Sequence, residues 1–227
     1  MYQLYIGNKN YSSWSLRPWV LMRELEIAFA EHLVPFEEVS SWKSYRKISP
    51  SGKVPCLIDG DRVVWDSLAI VEYLAERHDA VWPLDLSARA WARSAAAEMH
   101  SGFAELRSRC SMSCGVRVRL KEIPLGLARD IGRIGALWND GLRRFGGPFL
   151  SAKVFTAVDA FFAPVASRIQ TYGLPIDTAS AAYAARLLDL RSMREWYADA
   201  LKEKGRDEPH EAEVLQMGSV LEDFREK

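Results

Sequence analysis

Pro55-Cys56-Leu57-Ile58-Asp59-Gly60-Asp61-Arg62-Val63-Val64-Trp65-Asp66-Ser67-Leu68-Ala69-Ile70 (residues 55–70) holds the reading that decides the fold. Pro55–Ile58 is a short apolar run, and proline is tolerated as the first residue of a strand. Asp59-Gly60-Asp61 is a hairpin turn signal, and Arg62–Trp65 returns as a second strand. Leu68, Val71 and Leu74 then recur at helical spacing, which predicts a helix over 67–77. Working outward, Tyr2–Ile6 reads as a strand ending at Gly7, followed by a polar loop Asn8–Ser13. Leu16, Trp19, Val20, Arg23 and Ile27 mark a helix over 16–27. His32–Val39 reads as a strand and Lys43–Ile48 as a short helical piece. The order β-α-β-α-β-β-α predicts an α/β domain over residues 1–80.

His78–Pro83 interrupts the pattern and reads as a linker. Residues 87–227 are rich in Ala, Leu, Arg and Glu at helical spacing and show no strand pattern. Helices are expected over 87–110, 126–145, 156–172, 180–189 and 192–204, and the charged tail after Gly205 is expected to fray. The second domain, 87–227, is therefore expected to be an all-helical bundle.

Lys+Arg and Asp+Glu both count 30, which argues against a nucleic-acid binder. Cys56, Cys110 and Cys114 are too few for a disulfide framework, and a reducing cytoplasm is the simplest compartment. The start lacks a basic-then-apolar leader, and no run of about 18 apolar residues suggests a membrane span. His32, His78, His100 and His210 match no zinc spacing, so no metal is expected, and no Gly-rich phosphate loop appears.

Three short motifs carry chemistry. In Asn10-Tyr11-Ser12-Ser13-Trp14-Ser15, hydroxyls sit where a helix begins and free N–H groups converge, which is an anion site. Taken alone, one of these serines would simply cap the helix. In Ser51-Gly52-Lys53-Val54-Pro55, a cis Val54–Pro55 bond would present the Val54 backbone for pairing with an extended peptide. In Asp66-Ser67, a second helix start could hold a carboxylate at Ser67 and an ammonium at Asp66, or merely cap. Thr156 and Asp159 form a capping-box pair with Phe155 placed for a staple, and this motif reads as structural.

The ordered set of hydroxyls, Lys53-Val54-Pro55, Asp66-Ser67 and the Thr156/Asp159 box resembles the cytosolic glutathione S-transferases over nearly the whole chain. Ser12-Ser13-Trp14-Ser15 is most similar to the serine-type zeta and theta-like bacterial groups, although the zeta group has cysteine where Trp14 stands. The resemblance implies a thioredoxin-like, glutathione-binding domain followed by a helical second-substrate domain. It implies that Ser12, or its neighbour Ser13, steadies the glutathione thiolate. Val54 and Pro55 would pair the peptide backbone, Asp66 and Ser67 would hold the γ-glutamyl head, and Lys53 with Trp42 or Lys43 would meet the glycyl end. Glutathione is the implied co-substrate, a small electrophile the partner, detoxification the role and a homodimer the expected assembly. The alternative is a noncatalytic binding or regulatory protein on the same fold. A thiol–disulfide oxidoreductase would want cysteine at 12 or 13. Residues 105–144 carry nine Lys/Arg against four Asp/Glu. That is either a solvated face or a second-substrate pocket for an anionic electrophile, with Met99, Phe103 and Arg107 in one helical register as its lining.

Overall fold

The computed structural model describes residues 1–36 and 42–226. β1 (Tyr2–Ile6) lies inside a four-stranded sheet of order β2-β1-β3-β4, with β2 at Phe29–Leu33, β3 at Cys56–Asp59 and β4 at Arg62–Trp65. β1 and β2 run parallel, Tyr2 opposite Phe29, whereas β3 pairs antiparallel with both β1 and β4. A parallel pair needs a crossover, and α1 (Ser13–Glu24) supplies it. Its Leu16, Trp19 and Val20 are fully buried. α2 (Trp42–Tyr45) is a single turn, and α3 (Ser67–Ala75) packs against α1. This is the thioredoxin-like arrangement expected of the N-terminal domain.

The second strand begins and ends earlier than the sequence pattern suggests, because its register is set by pairing with β1. The predicted end of that strand at Val39 lies outside the described residues.

The helical region contains α4 (Leu86–Ser101), α5 (Ala104–Arg109), α6 (Leu125–Phe145), α7 (Ala157–Tyr172), α8 (Thr178–Asp189), α9 (Arg191–Lys202) and α10 (Glu208–Met217). α7 is buried on nearly every side and packs on α1, α4 and α8. Two expectations are corrected here. The single helix over 87–110 is two helices. Gly102 is extended, Phe103 takes a left-handed φ of 58°, and a Cβ at Gly102 would meet the Glu98 carbonyl oxygen at 2.8 Å. The tail does not fray, nor is the region wholly helical. β5 (Val116–Leu120) pairs antiparallel with β6 (Gly218–Asp223). Val116 and Val118 are buried between more exposed arginines, the period-two alternation of a half-covered strand.

The Thr156/Asp159 box forms as expected. Asp159 Oδ2 accepts from the Thr156 backbone N–H and hydroxyl, and Oδ1 accepts from Leu150 N–H and the Tyr183 hydroxyl. Burial outweighs these donors and pushes the carboxyl up to about 6. The raised value means that stability from this group is present below the ordinary aspartate value and is lost as pH rises through about 6. Asp159→Asn is expected to remove that slope. Asp159→Ala strands several buried donors at about 1–3 kcal/mol each, so urea unfolding should show a loss of about 3 kcal/mol or more.

Candidate functional site

The site begins with a loop whose backbone is held by residues far along the chain. Lys9 N–H and Asn10 N–H donate to the two Glu203 carboxylate oxygens at 2.6 and 3.2 Å. Lys9 C=O accepts from Trp196 Nε1 at 2.8 Å, and Asn10 accepts from Gly115 N–H and Cys114 N–H. Lys9 Nζ sits 2.8 Å from Glu31 and 2.7 Å from Asp199. Nearer α1, Tyr11 N–H and Ser12 N–H both close onto the Asn8 carbonyl. The result is a rigid entry into α1 with first-turn N–H groups left for an anion.

Ser12 occupies the cap position but makes no side-chain cap. Its hydroxyl instead donates to Ser15 Oγ at 2.7 Å, and Ser15 Oγ also accepts from Gly7 N–H. Ser13 is half-buried, and its Oγ accepts from Arg168 Nη2 at 3.4 Å. The two hydroxyls therefore differ: the Ser12 O–H is engaged as a donor to Ser15, while the Ser13 oxygen accepts from Arg168.

Both serines line a cavity of about 400 Å³ between the sheet domain and the helical region. Trp42, Lys53 and Val54 form one side, and the Val54–Pro55 bond is cis. Met99, Arg107 and Arg168 form the other, and His210 and Glu213 of α10 complete the wall. Five residues anticipated from sequence do not line it. Pro55 is buried and is not part of the lining. Ser67 is 1% exposed, its hydroxyl accepting from Arg17 Nη1 at 3.4 Å. Asp66 serves as the cap of α3, with Oδ1 accepting from Leu68 N–H and Ala69 N–H and Oδ2 lying 3.5 Å from His100. Phe103 is buried at the break between α4 and α5, so the helical register proposed with Met99 and Arg107 does not exist. Arg107 reaches the cavity by folding back, its guanidinium capping the Met99 and His100 carbonyls. Lys43 is exposed and away from the lining.

Sequence reading missed Tyr11, Arg17, Arg168 and His210. The signal for Arg168 was a single cation just after the apolar run 160–166. His210 is carried in by the tail expected to fray. Its ring stacks on Tyr11 at 5.0 Å and Phe36 at 5.3 Å, and Nδ1 pairs with Asp207. Cys110 and Cys114 are buried thiols pushed up to about 12, chiefly by burial, and are inert. Among the described residues, no group of three or more His, Cys, Asp or Glu is placed to hold a metal, and no helix is long and apolar enough to cross a membrane.

Residues 11–77 match the family model described as the glutathione S-transferase N-terminal domain. That stretch, under a third of the chain, is similar to the glutathione S-transferase N-terminal domain. The match runs from Tyr11 through α1 and the cis proline turn to the end of α3, and leaves out Lys9 and Asn10. A dichloromethane dehalogenase from Methylophilus leisingeri is 40% identical over 60 residues, which cover 26% of this chain and only 22% of that protein. A stringent starvation protein A homolog from Pasteurella multocida is 25% identical over 178 residues, 75% of this chain and 78% of that one. The glutathione S-transferase fold extends through the helical region: a glutathione transferase homolog from Burkholderia, solved with bound glutathione, superposes with a TM-score of 0.64 at 21% identity, covering 88% of this chain and 97% of that chain.

Glu203→Ala should leave the Lys9 and Asn10 N–H groups without acceptors, at about 1–3 kcal/mol each. Thermal unfolding should show the loss, and Trp196 emission should shift red as the loop lifts from it.

Proposed function

We propose that the chain is a glutathione transferase that holds the tripeptide against α1 and presents its sulfur to a small electrophile. The observation that carries this reading is the pair of serine hydroxyls at the start of α1, opening into one cavity with Val54, Lys53 and Trp42. The bound tripeptide in the Burkholderia relative supports it. Residues 1–80 would form the glutathione domain and 87–227 the second-substrate domain. Val54 offers its backbone to the peptide, Lys53 and Trp42 face the glycyl end, and Pro55, Asp66 and Ser67 support the turn and the γ-glutamyl end from behind. A twofold dimer in the cytoplasm, acting in detoxification by conjugation or isomerisation, completes the proposal.

Glutathione supplies the sulfur nucleophile; the chain's task is to favour its anion. A free thiol has a pKa of about 8.5, so only about 3% is ionised at neutral pH. Lowering that value by about 2 units needs about 2.7 kcal/mol of preference for the anion. A hydroxyl donated to a charged acceptor contributes about 1.5–3 kcal/mol, and a helix N-terminus about 0.3–1 kcal/mol. Together they reach the requirement. Of the two candidates, Ser13 is better supported than Ser12. Arg168 donates to the Ser13 oxygen and so polarises its O–H. Ser12 would first have to break its bond to Ser15.

A noncatalytic binding role is the second reading. The alignment with the starvation protein homolog spans three quarters of the chain, more than that with the dehalogenase.

Glutathione titration should show binding in the wild type, with thiolate absorbance appearing near neutral pH. Ser13→Ala should lower kcat/KM toward a generic aryl halide by about 10- to 100-fold, equivalent to about 1.4–2.8 kcal/mol. It should also move the alkaline rise of kcat/KM up toward pH 8.5, because the anion loses its donor. Ser12→Ala should do less. Full activity in both variants would exclude a serine donor, and tight glutathione binding with no turnover would favour the noncatalytic reading.

A further inference from the structure

Arg17, Arg107 and Arg168 come from α1, α5 and α7, and all three line the cavity. Arg17 is 2% exposed and Arg168 6%. Their hydrogen-bond partners are neutral. Arg168 donates to the Cys110 and Pro164 carbonyls and to Ser13 Oγ. Arg107 donates to the Met99 and His100 carbonyls, and Arg17 reaches Ser67 Oγ and His100 Nδ1. Nε of Arg17 and Nε of Arg107 are buried with no hydrogen-bond partner among the described residues. Trp14 takes part of the charge on its ring, with Arg17 at 4.2 Å and Arg107 at 4.7 Å from the centroid.

Among the described residues, no carboxylate lies within salt-bridge distance of the three guanidiniums, although two act on them from outside the cavity lining. Asp66 faces Arg17 but caps α3 through Oδ1, and Asp130 faces Arg107 but accepts from Leu106 N–H. Glu213 lines the cavity and accepts from the Ser111 hydroxyl. Burial pulls all three arginines below their ordinary value, Arg168 to about 10. In Arg17, the charges of Arg107 and Arg168 add to that effect. Three guanidiniums against one lining carboxylate leave the wall strongly cationic, and burying unpaired charge is costly unless an anion joins it.

We propose that this cluster is the subsite for a carboxylate carried by the second substrate, so that the electrophile is an organic acid with an apolar body. The proposal rests on the glutathione reading for the word electrophile, but the anion site itself is separable from it. A planar guanidinium matches a carboxylate edge to edge. Trp14, Met99 and Met112 give the apolar surface on which the body would lie.

The test uses 4-methylbenzoate and its neutral isostere 4-methylbenzamide, titrated calorimetrically into the full chain, with and without saturating glutathione. The benzoate should bind about tenfold or more tightly than the amide, a difference of about 1.4 kcal/mol. Arg107→Met and Arg168→Met should each shrink that preference. Glu213→Gln should strengthen the benzoate and leave the amide unchanged. Where an arginine variant fails to fold, the wild-type pair and Glu213→Gln decide. Equal affinity for the two probes in the wild type overturns the proposal. So does displacement of glutathione by the benzoate, because the cluster would then serve the tripeptide's own carboxylate. A benzoate preference in a chain that does not bind glutathione supports the anion site and defeats the glutathione reading.

Discussion

The loop between β1 and α1 keeps its shape because a carboxylate nearly 200 residues away accepts its N–H groups. Glu203 takes the Lys9 and Asn10 donors while Trp196 donates to the Lys9 carbonyl. Lys9 then lies between the Trp19 and Trp196 rings, at 4.8 and 5.4 Å, with Glu31 and Asp199 on its ammonium. Buried backbone groups must find partners, and a loop of this kind has no ladder to provide them. The helical region provides them instead. A site that looks like the property of the first domain is therefore a product of both.

The same dependence runs through the electrostatics. The start of α1 is a place for negative charge by virtue of its unpaired N–H groups. α7 adds Arg168 against Ser13, α1 itself adds Arg17, and the reversal of the chain at Gly102 brings Arg107 across to Trp14. α10 closes the assembly with His210 over Tyr11 and Phe36. Tyr11 donates to Glu211 of that tail, Arg225 pairs with Glu211 and Asp223 within it, and β6 pairs with β5. Positive charge converges on the hydroxyls from elements that share nothing but the space they fill.

Much of the fold was legible because its signals are local. The hairpin turn at Asp59-Gly60-Asp61, the stripe Leu68–Val71–Leu74 and the Thr156/Asp159 box each work within a few residues. The break at Gly102 was hidden because the flanking residues keep helical composition, and only the close approach of the Glu98 carbonyl shows why the glycine ends α4. β5 carried a readable alternation, but its partner lies about a hundred residues away. Asp66 illustrates the reverse case. Its type suits both a cap and a ligand, and the backbone around it realised the cap.

What the sequence by itself determined was the order of elements, the serines at a helix start, and the valine ahead of a proline that opens a strand. These follow from turn chemistry and periodicity, which act between near neighbours. Only the tertiary structure decided which hydroxyl is engaged as a donor, which expected residues stand back from the cavity, and that three arginines share one wall. Those outcomes depend on side chains from different helices meeting through packing, and no spacing along the chain encodes a distance across it.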